Sequence, residues 1–276
     1  MGERAGLRGK ATPARQSRLN LRPLIPALCF LWLLLIAVVS IHAAETRSSS
    51  NITILPVPDP QRDGQAMAAR LRSAVPQVDS EYTGKLIITA ADGQFREVPI
   101  VSRITLGRTN WQVIYRTAWD GKKSDETLTI TRSTNGPGRY ELTTGTNATP
   151  RVLTEGELSH AFAGSDFWAI DLGLEFFAWP RQRKVRNEMT RSRSCNVLES
   201  MATTPGSGSY ARVLTWIDVE TDGIMRAEAY GTDGKIMKHF KTDKFRKVNG
   251  QYQLESMKIG SNKTDQETEL KIDLQR

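Results

Sequence analysis

The sequence has few of the residues that usually build catalytic or metal sites. Its 276 residues include two cysteines, Cys29 and Cys195, and three histidines. His160 and His239 have no cysteine or histidine at ligand spacing, so we predict no transition-metal site and no cofactor. Because Cys195 is the one cysteine after residue 44, an internal disulfide is excluded there. An apolar core must hold that part of the chain together.

Patterns typical of nucleophilic or phosphate-binding sites are also missing. Ser159 and His160 are adjacent but lack the elbow motif of a hydrolase serine. Asp166, Asp171 and Glu175 are spaced five and four residues apart, which spreads them around a helix and favours capping and salt bridges over acid–base work. We therefore predict that the protein is not an enzyme. An enzyme acting on lipid-linked substrates is a third hypothesis, which no acid–base or nucleophile set supports.

The positive charge is distributed unevenly. The formal net charge is +8, but residues 1–44 hold six basic and one acidic residue, a net of +5; this leaves 32 basic against 29 acidic residues, or +3, for residues 45–276. Such a balanced remainder argues against nucleic acid as a partner. A basic cluster between residues 181 and 193 is typical of a solvated strand face, and contact with anionic lipid headgroups is the alternative.

The first 44 residues have the order of a targeting or anchoring segment. Basic residues precede an uncharged apolar run of 18 residues from Leu24 to Ile41, which is about 27 Å of helix and is compatible with both a cleaved signal peptide and a retained inner-membrane anchor. Both alternatives place the rest of the protein outside the cytoplasm. We expect a flexible tether at residues 45–62 and one domain at residues 63–276.

After that tether the pattern predicts one helix and then a series of strands. Apolar residues at four-residue spacing predict a helix from Asp63 to Val75, and alternation of apolar and polar residues dominates the remainder. Turn dipeptides such as Asp92-Gly93 and Asp233-Gly234 indicate antiparallel hairpins. A change of apolar phase predicts a β-bulge near Glu255–Ser256. The predicted strands are residues 81–90, 95–105, 109–118, 125–133, 138–144, 183–189, 194–200, 210–219, 223–231, 235–246, 250–259 and 266–274.

One segment interrupts the strands. Residues 165–179 read SDFWAIDLGLEFFAW and carry apolar side chains at three- and four-residue steps, which predicts one helix or two short ones. Ser165 and Asp166 open the segment as a predicted helix cap, and Pro180 ends it. Its aromatic surface exceeds what one narrow stripe can bury, which indicates either the cover of an apolar groove or an ordinary core.

Motifs in the second half of the chain resemble a known family. They are Asp166-Phe167-Trp168, Trp179-Pro180, residues 195–200 (CNVLES), residues 216–218 (WID) and residues 225–230 (MRAEAY). Over about residues 80–274 the chain is similar to the bacterial outer membrane lipoprotein-sorting proteins, a superfamily that includes LolA/LolB-like carriers and RseB-like sensors.

The resemblance implies a mainly β (α+β) fold, in which a curved antiparallel sheet forms an incomplete barrel and a few helices cover its open side. It implies an extracytoplasmic protein that holds lipid acyl chains or lipoproteins in an apolar cavity and takes part in lipoprotein sorting towards the outer membrane. No catalytic motif accompanies it. The expected cavity residues are Trp111, Val113, Tyr115, Leu128, Ile130, Phe167, Trp168, Leu172, Phe176, Phe177, Trp179 and Trp216.

Retention of residues 24–41 as a membrane anchor would favour an alternative function. The carriers of this family travel freely or are lipid-anchored, whereas a chain retained by residues 24–41 cannot cross the periplasm. A tethered envelope sensor or structural module that binds a protein partner is therefore the second hypothesis, and in it the cavity is simply a packed core.

Overall fold

The fold was analysed in a computed structural model, which describes residues 59–117, 126–134, 136–145, 148–206, 208–248 and 251–274. The proposed leader and most of the proposed tether lie outside these residues, so those boundaries stay predictions. Within the described residues, no helix has the length and apolar character needed to cross a membrane.

The main element is one antiparallel sheet of 13 strands, which forms a curved, incomplete barrel as predicted. The sheet begins with β1 (Ser80–Thr89), β2 (Phe95–Leu106), β3 (Asn110–Thr117), β4 (Glu126–Ser133), β5 (Arg139–Thr144) and β6 (Arg151–Val152). It continues after a crossing segment with β7 (Arg181–Thr190), β8 (Arg193–Met201), β9 (Arg212–Asp218), β10 (Ile224–Tyr230), β11 (Ile236–Val248), β12 (Gln251–Ser261) and β13 (Gln266–Ile272). All twelve predicted strands are present; the two-residue strand β6 was not predicted.

The order of strands across the sheet is β6-β5-β4-β3-β2-β1-β13-β12-β11-β10-β9-β8-β7. The last strand, β13, therefore pairs with β1 in the middle of the sheet, with Leu86 opposite Leu270. The two edges are β6 and β7, which are consecutive along the chain. The residues between them must cross the open side of the half-barrel.

The predicted bulge in β12 is confirmed. Thr242 pairs with Met257 and Lys244 with Ser256, but Phe245 pairs with Leu254, so Glu255 is skipped on β12. A matching irregularity on β11 lies between Thr242 and Lys244. The extra residue brings Leu254 and Met257 into the same core cluster, although an odd number of positions, three, separates them along the strand.

Helix α1 (Pro60–Ser73) begins three residues before the predicted start. The side chain of Asp59 accepts hydrogen bonds from the backbone N–H groups of Gln61 and Arg62, and Pro60 occupies the first turn, where its missing N–H has no cost. The Asp-Pro pair is thus the start signal that periodicity alone did not reveal. The buried face of α1 includes Met67 and Leu71, and it packs against β7.

A close approach explains the glycine in α1. A side chain at Gly64 would place its Cβ 2.5 Å from the Cα of Arg183 on β7. Only glycine allows the two backbones to meet at this distance. Helix α1 therefore covers the β7 edge, which would otherwise expose unpaired strand groups.

The hairpin between β7 and β8 provides a stability test. Arg191 and Ser192 both have positive φ values, 51° and 63°, where glycine is favoured because a Cβ adds strain. Replacing Ser192 with glycine is expected to raise the free energy of unfolding by about 0.5–1 kcal/mol, as measured by chemical denaturation. The control is Ser194→Gly within β8, which should lower it by a similar amount. Equal effects at the two positions would contradict the assigned turn.

Candidate functional site

Residues 153–180, here called the lid, connect β6 to β7 and cover the inner face of the sheet. The lid contains helix α2 (Ala169–Gly173) and short 3₁₀ turns at Glu155–Glu157, Phe162–Gly164 and Glu175–Ala178. The second of the two predicted alternatives for residues 165–179, two short helices, is therefore confirmed. Helix α2 ends at Gly173. The next residue, Leu174, has a positive φ of 51°, which interrupts the helical conformation before the next 3₁₀ turn begins.

One end of the lid is fixed to β5 and β4 by buried polar contacts. The Tyr140 hydroxyl donates a hydrogen bond of 2.8 Å to Glu175 Oε2, and the Gly138 N–H donates to the same carboxylate. The Arg132 guanidinium donates to the carbonyl oxygen of Gly173. Burial raises the pKa of Glu175, although Tyr140 and Arg132 oppose the shift. Because an unpaired buried group is costly, loss of any one partner is expected to destabilise this position of the lid.

The middle of the lid is fixed to β13. The Thr268 hydroxyl donates a 2.8 Å hydrogen bond to Asp166 Oδ2, and it accepts one from the Asp166 N–H at 3.0 Å. Both residues are buried. Burial raises the pKa of Asp166, against the opposing effect of the Thr268 hydrogen bond. The prediction that Ser165 caps a helix is wrong. Its hydroxyl donates a hydrogen bond to the carbonyl oxygen of Phe162.

A buried lysine from β11 meets the lid beside these contacts. Lys238 Nζ donates a 2.5 Å hydrogen bond to the Asp166 carbonyl, lies 3.5 Å from Asp171 Oδ2, and sits 3.5 Å from the centre of the Trp168 ring. The Tyr210 hydroxyl donates to Asp171, and its ring stacks on Trp168 at 4.9 Å. Burial lowers the pKa of Lys238 to about 8 and raises that of Asp171. In this cluster the Lys238 ammonium is held by the Asp171 carboxylate and the face of the Trp168 ring.

An apolar cavity of about 60 Å³ lies between the lid and strands β3 and β9–β12. An apolar cavity of about 150 Å³ is the size that takes up benzene, so the closed cavity is too small for an acyl chain. Its lining is apolar except for four residues that carry hydroxyl or charged groups: Tyr115, Asp171, Tyr210 and Lys238. The lining residues are Tyr115, Phe167, Asp171, Leu172, Leu174, Phe176, Tyr210, Val213, Ile224, Ala227, Ala229, Lys238, Phe240, Met257 and Ile259.

The structure brings most of the predicted cavity residues to the inner face. Four of them line the cavity: Tyr115, Phe167, Leu172 and Phe176. Six others belong to, or pack against, the main apolar cluster around it: Val113, Leu128, Ile130, Trp168, Phe177 and Trp179. Whether any of them binds a ligand stays a prediction.

The other two predicted residues do not belong to the main apolar cluster. Trp216 lies in a second apolar cluster with Cys195, Val197 and Met225, where its ring is covered by the guanidinium of Arg226 at 4.6 Å. Trp111 is buried but is assigned to neither apolar cluster of the described residues. The sequence could not show on which face of the sheet Trp216 lies. Both faces of β9 carry apolar residues, so the alternation of apolar and polar residues does not distinguish the inner face from the outer one.

Sequence reasoning missed the cavity wall formed by β9–β12. Val213, Ile224, Ala229 and Met257 line it, and each lies on a predicted strand. The missing information was which strand faces which part of the lid. Lys238 carried a usable signal, since it occupies a core position between the partly buried Ile236 and the buried Phe240.

The remaining titratable candidates have structural contacts. His160 Nε2 lies 2.6 Å from Glu126 Oε1, which ties the lid to β4. Cys195 is buried and free, and burial raises the pKa of its thiol. Among the residues that the structure describes, no group of three or more metal-ligating side chains is close enough to hold an ion.

The chain matches a known protein family. A family model described as "Uncharacterized protein" matches residues 122–275, more than half of the chain. The chain belongs to this family. No curated protein sequence matches the chain.

Three solved structures share the fold. A DUF1329 family protein from Desulfovibrio piger is 15% identical, with a TM-score of 0.65 over 78% of this chain and 92% of the other. A putative outer membrane lipoprotein-sorting protein domain from Vibrio parahaemolyticus is 18% identical, with the same TM-score and coverage. The LolA superfamily protein NE2245 from Nitrosomonas europaea is 16% identical, with a TM-score of 0.55 over 79% and 93%. The resemblance to the lipoprotein-sorting half-barrels is thereby confirmed as a resemblance of fold.

A substitution at Gly173 tests how closely the lid must fit. A Cβ at this position would lie 1.9 Å from the hydroxyl of Tyr140, so Gly173→Ala should displace the lid or the Tyr140 ring and lose the Glu175 hydrogen bond. We expect a loss on the order of 2 kcal/mol in the free energy of unfolding, measured by denaturation, together with faster proteolysis within residues 153–180. Gly156→Ala is the control, because open space surrounds that position. Equal behaviour of the two variants would show that the lid does not pack as described.

The burial of Lys238 predicts an unusual titration. In the full chain labelled with ¹³C-lysine, the NMR signal of Lys238 should titrate near pH 8, whereas Lys258, whose pKa an ion pair with Glu267 raises, should titrate above 10.5. Between about pH 8 and 10.5 the folded protein binds fewer protons than the unfolded chain, so this group makes the free energy of unfolding increase with pH by on the order of 3 kcal/mol.

The Asp171→Asn variant tests how the Asp171 carboxylate contributes to the pKa of Lys238. Asp171 favours the charged lysine, so its neutralisation should lower the pKa of Lys238 further. A Lys238 signal that titrates near 10.5 in the wild type would mean that water reaches the ammonium and that the lid is open in solution.

Proposed function

We propose that the protein is a non-enzymatic extracytoplasmic binding protein that holds the acyl chains of lipids or lipoproteins between the lid and the half-barrel. The observation that carries the proposal is the apolar cavity, which lies beneath a segment that crosses the sheet from edge to edge. The fold shared with a LolA superfamily protein and with a lipoprotein-sorting domain supports it. In this proposal the protein takes part in lipoprotein sorting towards the outer membrane.

Loading must involve displacement of the lid, because the closed cavity of about 60 Å³ cannot take a chain. An acyl chain of about 16 carbons would gain on the order of 12 kcal/mol if fully buried, which would make release slow. A half-barrel buries such a chain only in part. The lid also contains two strained non-glycine residues, Ala163 and Leu174, with φ of 55° and 51°. This strain offsets part of the gain from closure.

The polar cluster at the cavity gives the ligand an orientation. Lys238 and Asp171 line one part of a wall that is otherwise mostly apolar, so an acyl chain would direct its polar end towards them. Shifted pKa values such as theirs are also common in active sites. Here the Lys238 ammonium is engaged with a lid carbonyl, and the Asp171 carboxylate with the Tyr210 hydroxyl. These contacts support a structural role, and we propose that the protein is not an enzyme.

A tethered sensor or structural module that binds a protein partner is the second candidate. The small volume of the cavity favours it, because a well-packed interior is what a module without an acyl ligand would have. The two candidates differ in whether acyl chains enter the half-barrel inside the cell.

Photochemical labelling with a diazirine fatty acid tests the proposal. Cells that produce the full chain are fed the probe and irradiated, and cross-linked peptides are identified by mass spectrometry. Cross-links are expected in the lid and on β10–β12. Ala229→Val should fill the cavity, raise the free energy of unfolding by about 0.5–2 kcal/mol, and reduce labelling severalfold.

Ala169→Val is the matched control, since Ala169 is fully buried in α2 but does not line the cavity. Overpacking there should lower the free energy of unfolding by about 1–3 kcal/mol without the same selective loss of cavity cross-links. Absence of cross-links from the wild-type cavity would reject acyl binding and leave the partner-binding module.

A further inference from the structure

A second, polar concavity lies where α1 crosses the β7 edge of the sheet. It is a groove of about 500 Å³, compared with about 60 Å³ for the cavity under the lid. Its charged and amide side chains come from α1 and from β7–β9: Gln61, Gln65, Arg181, Gln182, Arg183, Glu199 and Arg212. We call this feature the arginine groove.

One buried carboxylate positions two of the arginines. Glu199 has only 6% of its side chain exposed; its Oε2 lies 2.8 Å from the guanidinium of Arg183 and its Oε1 3.6 Å from that of Arg212. Arg212 also lies 4.0 Å above the ring of Tyr230. The two guanidinium groups are therefore held in place rather than swinging freely, while Arg183 keeps 54% and Arg212 35% of the side chain exposed.

The groove has more positive charge than its single acid neutralises. Three arginines against one glutamate leave two positive charges, and Arg181 has no ion-pair partner within the described part of the chain. Planar guanidinium groups bind phosphate oxygens in a bidentate manner. Gln61 and Gln65 add amide donors without adding negative charge. An anion with several oxygens and one or two charges matches this set.

We propose that the arginine groove binds the phosphate of an anionic phospholipid headgroup at a membrane surface. The position of the groove favours a lipid source. Gln61 lies two residues after Asp59, where α1 begins, and the 17 residues between Ile41 and Asp59 span at most about 60 Å when extended. A bilayer that holds residues 24–41 is within that distance. This step rests on retention of the leader, and it is independent of acyl binding under the lid.

Hydrogen exchange of the full chain in nanodiscs tests the proposal. Nanodiscs of phosphatidylcholine alone are compared with nanodiscs that also contain phosphatidylglycerol, which has the same acyl chains. We expect phosphatidylglycerol to slow exchange in α1 and β7 roughly fivefold or more. A third arm adds inorganic phosphate to the phosphatidylcholine nanodiscs and should not reproduce the effect. Because the acyl chains are identical, occupation of the cavity cancels in the comparison.

Two charge-matched double variants make the test specific. Arg181→Gln/Arg212→Gln should abolish the difference between the two nanodiscs. Arg103→Gln/Arg139→Gln, on β2 and β5, removes the same charge from exposed positions and should preserve the difference.

Three results would overturn the proposal: no effect of phosphatidylglycerol on the wild type, an effect that persists in Arg181→Gln/Arg212→Gln, or equal protection by inorganic phosphate. The last result would assign a free-anion site instead. Each is distinguishable from failure of the acyl-binding proposal, because loss of the diazirine cross-links would leave the phosphatidylglycerol effect intact.

Discussion

The structure depends on how one face of an open 13-stranded sheet is covered. The edges β6 and β7 are consecutive in the chain, so a single connection of fewer than thirty residues, 153–180, must cross the half-barrel and bury its inner face. Apolar packing alone would let that connection slide, because dispersion contacts have little directional preference. Buried polar contacts to β5, β13 and β11 fix its position. Glu175, Asp166 and Lys238 each form one of these contacts.

These contacts also determine how the lid is expected to open in the proposed function. A buried hydrogen bond contributes modestly when it is made and costs more when it is broken alone, so the lid is expected to open as a unit. Burial opposes the charges on Lys238 and on the acids beside it, and the positive φ of Leu174 adds strain. Closure is therefore less favourable than the extent of apolar contact suggests, which is consistent with the proposed entry and release of a ligand.

Helix α1 connects the two concave features of the molecule. Its buried face, with Met67 and Leu71, contributes to the same core that the lid covers, while Gln61 and Gln65 line the arginine groove. Gly64 has no side chain and therefore allows the helix to pack directly against the backbone of Arg183. A displacement of α1 would therefore alter both the β7 edge and one wall of the groove. The proposed lipid-headgroup site and the proposed acyl site would then share one structural element.

The sequence by itself determined the strand positions, the antiparallel hairpins, the bulge at Glu255 and the helical character of residues 165–179. Each of these follows from local rules: alternation, turn dipeptides and a shift of apolar phase. The assembly of the cavity and of the arginine groove was decided only by the tertiary structure. The pairing of β13 with β1 joins residues almost 190 positions apart, and it decides which inward faces meet the lid. Lys238 and Trp216 show the consequence: both lie on correctly predicted strands, but only the three-dimensional arrangement shows that Lys238 lines the cavity and that Trp216 lies in another cluster.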